Sequence, residues 1–259
     1  MQAAKNIAII GAGNMGGATA LGLSRFCPGL NIHVTAKHLQ TLEKFKAGGI
    51  NASLDNEAAA RHAEIVILAV KPWLVKDVLT PLVPCLKGKL LISIAAGIPA
   101  SELGDCLSGA SLSGLYTVIP NLAIEVGESM TFAHEIFGTT ESRNCVQTLF
   151  SSVGKIQFVS EKQLNAGMMV ASCGTALALR YMRAAMEGGI QLGLYPKQAL
   201  EAVLQTVKGA AILSESHGAH PEADIDKVTT PGGITIRALN AMEEAGFSNA
   251  VIKGLTVLE

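Results

Sequence analysis

Charge, aromatic rings and paired cysteines are all scarce in this chain. Charged residues make up 16% of the 259 positions, and the formal net charge is -1. A nucleic-acid or anionic-membrane partner calls for a basic patch, and this balance supplies none. The five cysteines (Cys27, Cys85, Cys106, Cys145, Cys173) are odd in number and show no Cys-x-x-Cys spacing. That pattern argues against a disulfide framework and for reduced thiols in a cytoplasmic protein. The six histidines are scattered, with no spacing that suggests a metal cage. No apolar run reaches the roughly 18 residues of a membrane span, and the apolar start breaks at Gly11, unlike a signal peptide.

Apolar residues are plentiful, at 49%, as are alanine and glycine. The length suits one large domain or two smaller ones. Ile7-Ala8-Ile9-Ile10 is all apolar, as a central parallel strand covered on both faces would be. It runs into Gly11-Ala12-Gly13-Asn14-Met15-Gly16, and a helical pattern follows to about Phe26. This is the Gly-x-Gly-x-x-Gly fingerprint of a dinucleotide site, with the strand before and the helix after that it needs. Gly11 allows the tight turn, Gly13 the approach of a pyrophosphate, and Gly16 close packing of helix on strand. The backbone of Asn14 and Met15 opens the helix whose N-terminus attracts phosphate.

The next strand, Asn31 to Thr35, should end beside the adenosine ribose. An acidic residue there would bind the 2′-hydroxyl of NAD, but this chain has Thr35-Ala36-Lys37-His38. The missing acid and the present base favour NADP, with Lys37 pairing the 2′-phosphate; the bland alternative is a solvated loop lysine. Strands are expected at Ile65 to Val70, Leu90 to Ile94, Leu115 to Ile119, Met130 to His134 and Ile156 to Val159. Helices are expected at Leu39 to Ala47 and Leu74 to Leu82. This alternation means a doubly wound α/β sheet. Ligands bind beyond the carboxyl ends of such strands. Ala69-Val70-Lys71-Pro72, Ala95-Ala96-Gly97 and Asn121 are therefore cofactor-binding candidates; the alternatives are an ordinary surface lysine at Lys71 and a plain turn at Pro120-Asn121.

After Val159 the texture becomes helical. Glu161 to Leu192 reads as one long helix, or two joined near Ser172-Cys173-Gly174. Gly193 caps it and Pro196 opens the next helix, to about Ser214. His217 to Pro231 reads as a loop, followed by helices at Ile234 to Ala245 and Ser248 to Val257. The boundary between residues 1–160 and 161–259 falls near Ser160. The helical half is apolar on several faces, which predicts a homo-oligomer with interleaved helices.

Four motifs stand in order: GAGNMGGA, LAVKP (Leu68 to Pro72), ISIAAG (Ile92 to Gly97), and VTTPGGITIRAL (Val228 to Leu239) with Glu243-Glu244-Ala245-Gly246-Phe247 after it. They resemble, in order and spacing, the motifs of the pyrroline-5-carboxylate reductases. The resemblance implies an α/β Rossmann-type N-terminal domain and an all-α C-terminal dimerisation domain, with dimers that assemble into rings such as a decamer. It implies hydride transfer from NADPH (or NADH) to the C=N carbon of pyrroline-5-carboxylate, giving proline. In the family, positions matching Thr230, Gly232, Gly233 and Ile234 hold the substrate carboxylate, and Thr235 lies by the ring nitrogen as the catalytic candidate. The physical reading agrees: a helix N-terminus offers unpaired N–H groups and partial positive charge, here from Gly233, Ile234 and Thr235. The alternative is that Thr230 is only an N-cap and Pro231-Gly232-Gly233 only a turn. Glu187, Glu215 and Asp226 are solvated or structural carboxylates in this reading.

Two motifs depart from the family pattern. Met-Pro-Asn-Thr-Pro is here Ile119-Pro120-Asn121-Leu122-Ala123. Gly-Ser-Gly-Pro-Ala-Tyr is here Ser172-Cys173-Gly174-Thr175-Ala176-Leu177, where loss of the proline eases a continuous helix. These changes leave open a paralogue that reduces another cyclic imino acid, or a non-catalytic NADP-binding sensor. A 2-hydroxy acid dehydrogenase is disfavoured, because Glu161 to Ala171 offers only Lys162 where its catalytic lysine would stand.

Overall fold

A computed structural model describes residues 5–218 and 220–257. The chain divides into two compact units, Met1–Cys173 and Gly174–Glu259.

The first unit is built on one sheet. In chain order its elements are β1 (Asn6–Ile10), α1 (Asn14–Phe26), β2 (Asn31–Thr35), α2 (Leu39–Ala47), β3 (Asn51–Ser53), α3 (Asn56–His62) and β4 (Ile65–Leu68). There follow α4 (Val75–Leu82), β5 (Leu90–Ser93), α5 (Ala100–Cys106), β6 (Gly114–Ile119), β7 (Ser129–Gly138), α6 (Thr140–Ser151), β8 (Gly154–Phe158) and α7 (Glu161–Gly167). The strand order is β3-β2-β1-β4-β5-β6-β7-β8. The chain starts in the middle at β1, goes outward to β3, then returns to β4 on the other side. That reversal leaves a crevice at the carboxyl ends of β1 and β4, where such sheets bind ligands.

Every strand pair is parallel except β6 with β7. The sheet is therefore mixed rather than purely parallel. The cause is connection length: only a short 3₁₀ turn, Leu122–Val126, separates β6 from β7. A parallel return needs a crossover of about a dozen residues or more.

β1 shows why its apolar run is continuous. Ile7 and Ile9 face one core with Leu23, Leu42 and Phe45 from α1 and α2. Ala8 and Ile10 face the other with Ala59, Leu79 and Leu103 from α3, α4 and α5. Short strand β3 and helices α3, α5 and α6 lie outside the elements foreseen from the sequence. Of these, α3 is signalled by its N-cap, where the Asp55 carboxylate accepts the Ala58 N–H at 2.9 Å.

The segment 161–173 packs with the sheet unit. Leu164 and Gly167 of α7 are buried, and a Cβ on Gly167 would stand 2.5 Å from the Phe132 ring of β7. The next six residues, Met168–Cys173, are wound as a π-helix. Helical winding does continue through the altered Ser172-Cys173-Gly174 segment, but with a wider turn. Such turns free carbonyls from the regular ladder, and the Ala171 carbonyl accepts the Asn121 side-chain amide at 3.3 Å.

The second unit contains α8 (Gly174–Gln191), α9 (Pro196–His217), α10 (Pro221–Val228), α11 (Ile234–Glu244) and α12 (Phe247–Leu255). α8 packs on α9 with Gly189 close to Ala199, the one fully enclosed apolar side chain on α9. Tyr181 and Phe247 meet edge to face at 6.5 Å. Much of the unit's apolar surface is open in the single chain, including Leu179, Leu192, Tyr195, Ile212 and Ile252. Among the described residues, no helix is long and apolar enough to cross a membrane.

The expected loop from His217 to Pro231 is instead largely helix α10. Pro221 occupies its first turn, Glu222 and Asp224 place acid at its N-terminus, and Lys227 lies in its last turn. These are helix start and stop signals. The surrounding His, Gly and Pro residues masked them in the sequence.

Candidate active site

The glycine turn after β1 is fixed by β2. The N–H groups of Gly11 and Ala12 both donate to the Thr35 carbonyl, at 3.1 and 2.7 Å. Gly11 has φ +109°, and a Cβ there would stand 2.7 Å from the Ala69 carbonyl oxygen. Only glycine fits both demands. A Cβ on Gly16 would drive into the Gly11 carbonyl oxygen and stand 2.7 Å from Ala69 Cβ. Gly13 is different. Its φ is ordinary and a Cβ there would meet nothing within 4 Å. Gly11 and Gly16 are thus required by the fold, while Gly13 borders open space that a pyrophosphate would fill. Asn14 and Met15 follow it in the first turn of α1, whose partial positive charge suits an anion.

The other strand ends lie at the same carboxyl edge. Beyond β2, Lys37 is exposed with no acidic residue beside it in Ala36-Lys37-His38. Beyond β4, Ala69 and Val70 are half-buried, and Ala69 N–H donates to the Ile10 carbonyl at 2.8 Å, closing the gap to β1. Lys71 is exposed and places its ammonium 6.0 Å from the Trp73 ring centroid, with Pro72 opening a 3₁₀ turn. Beyond β5, Ala95 is buried, whereas Ala96 and Gly97 are exposed. These small residues leave main chain accessible at the edge.

Asn121 behaves otherwise. It is buried; its side-chain oxygen accepts the Ala123 N–H at 3.0 Å, and its amide donates to Ala171. Both ends of the side chain are engaged within the fold, so Asn121 holds the turn and the π segment rather than offering free groups at the edge. The sequence signal for this is Asn before a short turn, an N-cap pattern.

In the second unit, Thr230-Pro231-Gly232-Gly233 forms the pattern of a type II turn. Gly233 N–H donates to the Thr230 carbonyl at 2.9 Å, Pro231 sits at the second position, and Gly232 has φ +69° at the third. A Cβ on Gly233 would stand 2.5 Å from Thr230 Oγ1. Gly233, not Thr230, is the N-cap of α11. The Gly233 N–H is spent in the turn, which removes one of the three N–H groups expected for a carboxylate. Those of Ile234 and Thr235 remain in the helix's first turn, where no intrahelical acceptor exists. Arg237, unforeseen from the sequence, donates from Nε to the Gly233 carbonyl at 3.3 Å and puts a positive charge beside this terminus. Its spacing of four from Gly233 was the available clue.

The three carboxylates set aside lie on surfaces of this unit. Glu187 pairs with Arg183 at 2.8 Å on α8, and Glu215 and Asp226 are exposed. Among the described residues, no group of three His, Cys, Asp or Glu side chains is arranged to hold a metal ion.

Known proteins match this arrangement along the whole chain. A family model described as NADP oxidoreductase coenzyme F420-dependent matches residues 6–97, and one described as pyrroline-5-carboxylate reductase dimerisation matches residues 161–257. Pyrroline-5-carboxylate reductase 2 of Dictyostelium discoideum is 34% identical, over 98% of this chain and 90% of its own length. The pyrroline-5-carboxylate reductase of Methanosarcina acetivorans is 35% identical, over 96% of this chain and 95% of its own. Among solved structures, pyrroline carboxylate reductase of Plasmodium falciparum with NADP bound has a TM-score of 0.89 at 26% identity, covering 99% of this chain and 96% of that one. The Coxiella burnetii pyrroline-5-carboxylate reductase has a TM-score of 0.84 at 30% identity, over 98% and 95%. With this identity sustained across both units, the chain belongs to the pyrroline-5-carboxylate reductase family.

Proposed function

We propose that this protein reduces 1-pyrroline-5-carboxylate to proline with NADPH, the last step of proline biosynthesis. The observation that carries the reading is the pair of backbone devices described above. One is a glycine turn with open space at Gly13. The other is a Pro-Gly-Gly turn that delivers a bare helix N-terminus. The first suits a dinucleotide and the second a small carboxylate.

The chain's own residues do modest chemistry. Gly11, Gly13, Asn14, Met15 and Gly16 would hold the pyrophosphate, and Lys37 the 2′-phosphate that distinguishes NADPH from NADH. The Ala69-Val70-Lys71-Pro72 and Ala95-Ala96-Gly97 edges would give the cofactor a surface beyond β4 and β5, with only small side chains at Ala69, Ala95 and Ala96 and none at Gly97. NADPH, when bound, supplies the hydride. The N–H groups of Ile234 and Thr235 would anchor the substrate carboxylate, with Thr230, Gly232 and Gly233 shaping the turn around it. The Thr235 hydroxyl would hold the proton on the ring nitrogen, which makes the imine carbon a better acceptor. Anchoring and orientation supply most of what a reaction of this kind needs from a protein. The open apolar surface of the helical unit supports a homodimer, and such dimers would assemble into rings such as a decamer.

The test is direct. Purified protein is mixed with NADPH and pyrroline-5-carboxylate, and loss of NADPH absorbance is followed. Six-membered imino acids and 2-keto acids run in parallel. Turnover of the five-membered imine is expected. Preference for a six-membered ring would point to a paralogue, favoured only by Leu177 standing where the family has tyrosine. Binding of NADPH without turnover of any imine would leave a sensor.

A further inference from the structure

Helix α10 is short, eight residues, and stands immediately before the Pro-Gly-Gly turn. A helix of that length is marginal in water unless something holds it. Buried apolar side chains usually do so, but the one buried residue of α10 is Asp224, only 9% exposed. Its Oδ1 accepts from His217 Nδ1 at 2.7 Å and from Lys227 Nζ at 3.0 Å. His217 is the last residue of α9. Asp224 therefore ties α10 to the end of the preceding helix through the hydrogen bond from His217, while Lys227 braces the carboxylate from within α10.

The carboxylate is well suited to that task. The His217 hydrogen bond first, and the Lys227 bond second, hold its pKa below the ordinary aspartate value, so it stays charged through the neutral range. Its other oxygen, Oδ2, is buried with no hydrogen-bond partner among the described residues. The charge is thus compensated through Oδ1 alone, by two donors that are themselves partly exposed. From α10 the chain passes with no slack to the turn. Thr229 ends the helix, its hydroxyl donating to the Ile225 and Asp226 carbonyls at 3.1 and 3.2 Å, and Thr230 opens the turn.

We infer that Asp224, clamped by His217 and Lys227, is a positioning residue for substrate: it sets where the Thr230–Gly233 turn presents the N-terminus of α11. The inference rests on the reading of that turn as the carboxylate site. Asp224 touches no substrate. It acts through the turn, and so through imine affinity rather than through cofactor binding.

Asp224→Asn keeps the side-chain volume and removes the charge. Displacement of the turn by about an ångström then raises the KM for pyrroline-5-carboxylate by about ten- to a hundredfold. The Kd for NADPH stays within about twofold, and the melting temperature falls only slightly. Lys227→Met, which removes one donor and keeps the carboxylate, shows the same split at smaller size and serves if the first variant folds poorly. Asp224→Glu, which restores the charge, recovers part of the imine KM. A change in NADPH affinity as large as the change in imine KM, or an imine KM within twofold of the parent in both charge-removing and donor-removing variants, overturns the inference. Gly233→Ala is the arm that separates the two readings, since its Cβ would crowd Thr230 Oγ1 at the turn itself. If Gly233→Ala raises the imine KM and Asp224→Asn does not, only the positioning role fails. If neither does, the turn is not the carboxylate site.

Discussion

Gly13 and Gly16 sit three residues apart in one motif, yet alanine at each should fail in a different way. At Gly16 the new methyl meets the Gly11 carbonyl oxygen and Ala69 Cβ. Neither can retreat, because Gly11 is itself pressed on Ala69 and pinned to Thr35. Overpacking of this kind costs about 1–3 kcal/mol, and contact with backbone puts it at the upper end. Helix propensity returns about 1 kcal/mol. The net loss is then about 2 kcal/mol, or a melting temperature lower by about 4–8 °C. At Gly13 the methyl meets nothing, and φ -71°, ψ -166° suits alanine. The lost N-cap preference, about 0.5 kcal/mol, is offset by about 0.4–1 kcal/mol of unfolded-chain entropy. The melting temperature should therefore hold within about 2 °C. A pyrophosphate on Gly13 would have to move away from the methyl, at a cost of about 1–3 kcal/mol. That corresponds to a Kd for NADPH weaker by about 5- to 150-fold. Thermal melts and fluorescence titration with NADPH measure both quantities on the two variants. Gly13→Ala binding NADPH as tightly as the parent, or Gly16→Ala melting with it, would refute the assignment of one glycine to the ligand and the other to the fold.

Lys37→Asp should weaken NADPH binding by at least about tenfold more than NADH binding, since a like charge replaces a partner of the 2′-phosphate; equal losses would mean Lys37 does not face it. Thr235→Ala should lower kcat for the imine by roughly ten- to a hundredfold with NADPH affinity unchanged, and a fall in cofactor affinity instead would make the threonine structural. His33 accounts for part of the acid sensitivity of the fold. Burial first, and the nearby His62 charge second, lower its pKa from 6.5, with Asp55 opposing. The fold thus favours neutral His33, so its contribution is complete above the unfolded value and is lost as pH falls below about 6.5. Urea midpoints near pH 7.5 and 5.5 should drop more for the parent than for His33→Asn; parallel drops would show that His33 does not couple to folding.

Strands of the sheet unit were legible where burial on both faces made them uniformly apolar, as in Ile7–Ile10 and Ile65–Leu68. The glycine turn was legible because its spacing is set by local sterics. Asn51–Ser53 was not, being three residues at a sheet edge whose pairing to β2 is set at long range. Helix α10 was hidden because its anchor is a buried charge, and apolar periodicity is blind to that. At the candidate site, Pro231 and Gly232 announced the turn, but which N–H it consumes depends on the Gly233 to Thr230 bond, which spacing alone does not reveal. The structural part played by Asn121 was hidden for a similar reason: its partner, Ala171, stands fifty positions away.

The 3₁₀ turn Leu122–Val126 begins at Leu122-Ala123, where the family motif noted in the sequence has Thr-Pro. A Cβ on Gly22 of α1 would run into the Ile124 carbonyl oxygen, so the two backbones lie in direct apposition. The turn is also capped by Asn121 and closed by Gly127, while the side chains of Leu122 and Val126 face outward. Its path is written in main-chain contacts, and the identities at 122 and 123 carry little of it. Replacement of Thr-Pro by Leu-Ala thus changes the chemistry of a surface and leaves its scaffold in place. Leu122 and Val126 are free to be exchanged in engineering, whereas the core residue Ile124 and Gly22, on a different helix and with no motif of its own, are not.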